Sequence, residues 1–309
     1  MRKTCLYTIK AGGQMTGKKQ MTGKKQMTLE EKKEQVKNFR PIDDTFFEVL
    51  ADDIGVCQEM LRIILEDELE DEKLIVKDVI VQSSERNLYG RSVRLDALCI
   101  LGNRKKCNVE VQRSNKDHHL KRVRFNASVI TVRDSQTDDK FEETIDLIVV
   151  YISEFDIFKR GRVIYHVDSE IRETQEKVDD GLERVFVNTV VKDGTTISEY
   201  MDCFLQKEVD NVKFPKLTNR VHYLKHEEGG VNAVCEIMRK YSEEVAEKAY
   251  QQGEEAGKEI GKEIGQRQAN IAAIKNMIIR FQATKEVILE DYTESEYNTA
   301  IAELQSESR

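Results

Sequence analysis

The stretch RSVRLDALCILGNRKKCNVEVQ, residues 91–112, constrains the fold more than any other because it alternates. Side chains along a strand point to opposite faces in turn. The odd positions are Val93, Leu95, Ala97, Cys99 and Leu101, then Cys107, Val109 and Val111. All are apolar or thiol, so they form a core face. The even positions are Arg94, Asp96, Leu98 and Ile100, then Asn108, Glu110 and Gln112. GNRKK between the two runs supplies the turn of a hairpin. If Leu101 pairs with Cys107, Asp96 lies opposite Gln112 and diagonal to Glu110. A shift of two residues puts Glu110 directly opposite Asp96. A slip of one residue would turn one strand's apolar set outward, which burial forbids. Burial therefore forces Asp96, Glu110 and Gln112 onto one surface.

Two readings fit such a face. It is a solvated sheet surface with two ordinary acids, or a site that needs two acids close together. Opposed or diagonal cross-strand pairs have Cβ atoms about 5–8 Å apart, and opposed like charges destabilise a sheet. A divalent cation between them removes that penalty. Mg2+ is commonly held by one or two carboxylates, with water and phosphate oxygens completing its shell. Leu98 and Ile100 make the turn end of the same face apolar, so only its far end is polar.

The rest of the chain limits what that site can serve. At 309 residues it can bury a substantial core. Its net charge of -8 excludes an overall basic field, so any phosphate-binding surface must be local. The six cysteines, Cys5, Cys57, Cys99, Cys107, Cys203 and Cys235, form no C-x-x-C. They are expected to be reduced thiols, not a disulfide framework or zinc site. The longest apolar run, IDLIVVYI at 145–152, is too short to span a bilayer. No hydrophobic leader stands at the N-terminus. The expectation is a soluble, cytoplasmic protein with no membrane contact.

Residues 1–38 carry the repeat QMTGKKQMTGKKQMT and read as a disordered basic tail. Folded structure is expected from 39. Thr45 and Glu48 fit a capping box at the head of a helix. EKLIVKDVIVQSS leads into a strand, RSVRLDALCIL and CNVEVQ are two more, and a helix follows over 115–133. IDLIVVYIS is a buried strand, and RVIYHV and RVFVNTV are further strands. From about 196 the chain reads as helical, with a long segment over 231–281. This order makes an α/β sheet packed by helices. The expected divisions are a domain over 39–195, a helical extension over 196–252, and a glycine-repeated charged helix with a helical tail over 253–309.

Asp96 in RSVRLDALCI, with Glu110 and Gln112 in CNVEVQ, resembles the motif of the PD-(D/E)XK nuclease superfamily in its E-x-Q form. The likeness is to the branch described as recombination-promoting nuclease or PD-(D/E)XK-family transposase. It extends over roughly 40–265 through DDTFFEVL, TIDLIVVYISEFDIF, VHYLKHEEGGVNAVCEIMRKY and GEEAGKEIGKEIG. The resemblance implies a restriction-endonuclease-like α-β-β-β-α-β core with a helical C-terminal extension. It implies a DNA endonuclease using Mg2+, with Mn2+ as a substitute. Asp96, Glu110 and the Val111 carbonyl would hold the metal. Gln112 replaces the usual lysine and can bond a water but brings no charge. The family often adds an acid from the first helix, for which Asp44 and Glu48 are candidates, although Glu48 also completes the capping-box pattern. Arg94 shares the even face and is a further candidate.

Directly after the acids, residues 113–133 hold six Lys/Arg against one acid, Asp117. Leu120, Val123, Ala127 and Ile130 fall at helical spacing and should face the sheet. Arg113, Lys121, Arg122 and Arg124 would then meet the DNA backbone, unless the helix face is merely solvated. His118 and His119 read as surface residues. Gly253, Gly257, Gly261 and Gly265 recur every fourth residue, as a ridge for self-association or as a frayed linker. Ile271, Ile274, Ile278 and Phe281 restore an apolar stripe. Two further functions stand beside the nuclease. One is an inactive nucleic-acid-binding relative. The other is an assembly protein acting through its C-terminal helix.

Overall fold

The computed structural model describes residues 27–307 apart from 66–73, 82–83, 86–92, 103–104, 137 and 139. Residues 1–26, which hold all but the last two residues of the basic repeat, lie outside the described residues. The end of the expected tail does not, because Leu29–Val36 forms helix α1. Thr28 Oγ1 accepts the Glu31 N–H at 3.3 Å, and the Glu31 carboxylate accepts the Thr28 N–H at 2.8 Å. The lysine-rich composition masked this capping box, and Val36 beyond it is buried.

Helices α2 (Asp44–Ala51) and α3 (Ile54–Ile64) follow. The Thr45–Glu48 capping box does not form. Asp43 is the N-cap, its carboxylate turned back to the Arg40 N–H at 2.8 Å, so the helix starts earlier. Glu48 is instead buried inside α2.

The strands in chain order are β1 (Val76–Val81), β2 (Ser84–Glu85), β3 (Val93–Arg94), β4 (Ala97–Leu101), β5 (Lys106–Gln112), β6 (Leu147–Ser153), β7 (Ile164–Val167), β8 (Ser169–Ile171), β9 (Glu176–Val178) and β10 (Leu182–Asn188). Six make one mixed sheet in the order β1-β4-β5-β6-β10-β7. Strands β5, β6 and β10 run parallel, and the other pairs are antiparallel. Helix α4 (His119–Asp134) makes the crossover from β5 to β6. The protein is thus α/β, a mixed sheet flanked by helices with a long helix towards its C-terminus.

Helices cover both faces of the hairpin. On one, Leu98 joins Val123, Ala127 and Ile130 of α4 and Leu147, Val149 and Tyr151 of β6. Full burial of each large side chain contributes about 1.5–3 kcal/mol. On the other, α2 and α3 pack on β1, and the Cys57 thiol lies against Cys99. The even face is therefore interior, like the odd one.

Helices α5 (Thr196–Cys203) and α6 (Pro215–His226) pack against α3, and α6 also against α2. The buried Lys225 ammonium of α6 donates to the carbonyls of Lys37, Phe39 and Lys207. Compactness divides the chain between Cys235 and Glu236, so these helices belong with the sheet and not to a separate extension.

The second unit holds most of α7 (Glu228–Phe281), then α8 (Lys285–Asp291) and α9 (Glu294–Glu307). Ile271, Ile274, Ile288 and Ala300 are its core, with Ile278 packed at the edge. Phe281 does not join the stripe and is 76% exposed at the helix end, where Gln282 turns left-handed at φ 49°. The four repeat glycines lie within α7 with open space around them. Among the described residues no helix is long and apolar enough to cross a membrane.

Candidate active site

The hairpin takes the shifted register. Ala97 pairs with Val109 and Cys99 with Cys107. Extended by one step, that register would place Glu110 opposite Asp96. The ladder stops short of it, because Leu95 and Asp96 leave the strand in a bend. Leu95 turns into the cluster on the α4 side with Leu98, so strict alternation fails across 95–96. Asp96 Oδ2 instead accepts the Val111 N–H at 2.9 Å. The carboxylate takes the place a strand carbonyl would occupy. An interrupted strand, more than shared parity, brings the two acids together.

Both acids pay for this in solvation. Glu110 is 2% exposed. Burial pushes its carboxyl above the ordinary range, while the Asn108 amide at 2.9 Å, the Arg122 charge and Asn126 hold it down. Burial pushes Asp96 well up, the neighbouring Glu110 adds to this, and only the Val111 N–H and Arg122 oppose it. Asp44 also acts on Asp96 and is itself raised, chiefly by burial. Of the two acids expected from the first helix, Asp44 thus stands in the field of the pair. Glu48 lies buried further along the same helix.

Gln112 is not placed as a free water ligand. Its Nε2 donates to the Ser114 carbonyl at 2.9 Å, and its Oε1 accepts from Arg122 at 2.7 Å. Arg122 acts electrostatically on Asp44, Asp96, Glu110 and Tyr151 together. Lys121 and Arg124 are exposed on α4. Arg113 bonds Asp43 at 2.9 Å, and Arg40 bonds Glu154 at 2.6 Å beside it. Arg94 stands in β3, and its side chain lies outside the described residues.

The sequence reading missed His119. It is 6% exposed, not a surface residue, while Leu120, expected to face the sheet, is 50% exposed. Because α4 starts at His119, its buried stripe is His119, Val123, Asn126, Ala127 and Ile130. Two polar residues in an otherwise apolar stripe were the available signal. His119 Nδ1 lies 2.9 Å from the Tyr151 hydroxyl, and its ring packs on Phe155. Burial lowers its pKa, so the imidazole is neutral at neutral pH, and burial raises the Tyr151 phenol. Tyr151 is the parallel register partner of Glu110.

Among the described residues no three His, Cys, Asp or Glu side chains gather closely enough to hold a metal by themselves. The donor set fits a cation that needs fewer protein ligands. It offers one buried and one part-buried carboxylate whose charges repel, and hard oxygens alone, as suits Mg2+. No family model matches the sequence, and no curated protein and no solved structure matches it either.

Proposed function

We propose that this chain is a cytoplasmic, Mg2+-dependent endodeoxyribonuclease of restriction-endonuclease-like fold, of the PD-(D/E)XK type and associated with recombination or mobile elements. Mn2+ would substitute for Mg2+. The observation that carries the reading is the pair of a buried Glu110 and a part-buried Asp96, the one charge disfavouring the other at the broken end of a ladder. Unpaired buried charge is costly, and a site that keeps two such acids is a candidate for cation binding.

Asp96, Glu110 and the Val111 carbonyl would hold the metal. When bound, it would polarise a phosphate oxygen and lower the pKa of a water. The Val111 N–H fixes the Asp96 carboxylate, and Asn108 fixes Glu110. Gln112 grips Arg122, so the positive charge that lysine brings in the E-x-K form would come from α4. Arg122 can then face the charge developing on the phosphate. Lys121 and Arg124 would contact neighbouring phosphates, and Arg113 could do so on releasing Asp43.

The engagement of both ends of the Gln112 amide favours a second reading, a DNA-binding relative with little or no catalysis. The exposed Tyr241, Val245, Ile260 and Ile264 of α7 favour self-association as an added or separate role. Incubation of supercoiled plasmid with Mg2+ or Mn2+ separates these. The nuclease reading expects nicking or cleavage by wild type. Glu110→Ala should lose it and still shift DNA in a gel. Absence of cleavage with either metal sinks the nuclease, and absence of a gel shift as well leaves assembly.

A further inference from the structure

Beyond the end of β6 the chain makes the turn SEFDIFKRGRV, 153–163, whose backbone is unusually well held. The Asp156 carboxylate accepts the N–H groups of Phe158, Lys159 and Gly161 at 3.1, 2.9 and 2.8 Å. It also accepts the Tyr165 hydroxyl at 2.8 Å. The Tyr165 oxygen in turn accepts the N–H groups of Arg160 and Arg162 at 3.2 and 3.1 Å. Asn188 Nδ2 donates to the Arg162 carbonyl at 2.7 Å. Phe158 anchors the turn from inside, edge-on to Phe186. Lys159 and Gly161 take left-handed φ values of 54° and 68°. A lysine in that region is strained, and the Asp156 bonds hold it there.

This framework displays Lys159, Arg160 and Arg162, all exposed. Among the described residues no carboxylate pairs with any of the three. The opposite end of β5 differs, since Lys105 there bonds Glu183 and Lys106 bonds Asp134. Three unpaired cations on a short rigid turn repel one another, and a polyanion removes that repulsion. The turn also emerges at the site. Ser153 is the register partner of Gln112, the Glu154 N–H donates to the Gln112 carbonyl at 3.0 Å, and Phe155 packs on His119. These are the C-terminal ends of parallel strands, where open α/β sheets bind ligands.

We propose that the turn 156–162 is a preformed contact for the DNA phosphate backbone, flanking the acid pair, with Lys159, Arg160 and Arg162 each meeting a phosphate. It rests on the nuclease reading for the identity of the polyanion. Because the frame is rigid before binding, little ordering cost offsets the contact.

The test is duplex DNA affinity by fluorescence anisotropy, in EDTA, over a series of salt concentrations. Each phosphate contact contributes about 0.9 to the slope of log K against log salt. Lys159→Gln/Arg160→Gln/Arg162→Gln should make the slope shallower by roughly 2–3 and weaken low-salt binding about tenfold or more. Arg160→Lys/Arg162→Lys should keep the wild-type slope, which guards against a folding defect. An unchanged slope in the neutral variant, or no binding by wild type at low salt, overturns the proposal. Cleavage reports separately. A changed slope without any cleavage sinks the nuclease alone, and cleavage with an unchanged slope sinks this contact alone.

Discussion

Asp96, just before β4, and Asp156, just after β6, flank the C-terminal end of β5 from either side and live in opposite electrostatic worlds. For Asp156, partial burial works to raise the carboxyl. The Gly161 N–H, the Tyr165 hydroxyl and the Lys159 and Phe158 N–H groups outweigh it and hold the carboxyl below its usual range. Asp96 meets stronger burial with one backbone N–H, and faces a second carboxylate. Hydrogen bonds to the charged form stabilise it, and desolvation and like charge do the reverse. Asp156 is satisfied by its own turn and by Tyr165 of the next strand, and serves architecture. Asp96 is left in deficit, and a deficit inside a fold is where an external ligand gains most.

The largest test of that contrast pairs activity with stability. Asp96→Asn should lower Mg2+-dependent cleavage a hundredfold or more, because metal charge stabilisation is worth several kcal/mol. In EDTA at pH 7 the same change should raise stability by about 1–3 kcal/mol. The amide can still accept the Val111 N–H, and the repulsion with Glu110 is gone. Thermal unfolding in EDTA checks this, and a lower melting temperature would break the comparison. Next in size comes Arg122→Ala, with an expected tenfold to hundredfold loss of cleavage rate at saturating DNA, on the scale of other charge-stabilising donors. Gln112→Ala should add little to it, since both changes remove one shared bond. Additive losses would show that Gln112 acts without Arg122.

Alternation in 97–101 and 107–112, and the buried run at 147–152, were enough to read the α/β class and the hairpin that carries Glu110 and Gln112, but not the way Asp96 reaches them. The register was legible only as two alternatives, because parity cannot separate shifts of two residues. The interruption at 95–96 could not be read, since it follows from a side chain that replaces a ladder bond. The true start of α4 was hidden by the SNKD segment before it, which misplaced Leu120 and concealed His119. Capping by Thr28 was lost in a lysine-rich tail, and the Asp43 cap was lost to the more familiar Thr45–Glu48 pattern. The tie between Gln112 and Arg122 joins a strand to a helix, a relation that no local pattern records.

The smallest expected effects sharpen the comparison from the structural side. Asp156→Asn keeps the side-chain shape but removes the charge that its donors share. In this part-buried setting it should cost about 1–2 kcal/mol. The melting temperature should fall by a few degrees, roughly 2–6 °C, with the cleavage rate at saturating DNA unchanged. Its pH dependence has the opposite sign to that of Asp96. The Asp156 carboxyl is lowered by folding, so its contribution is complete above an unfolded pKa of about 4 and fades as pH falls through the folded value. The melting-temperature gap between wild type and Asp156→Asn should therefore close in acid. Asp96 is raised by folding, so its protonated form stabilises below about pH 4 and that stability is lost as pH rises. The Asp96→Asn advantage in EDTA should accordingly widen from acid towards neutral pH. Taken as variant minus wild type, the Asp156→Asn difference should grow more negative and the Asp96→Asn difference more positive as pH rises, and two signed differences moving the same way would mean that the two carboxylates are not held by different physics.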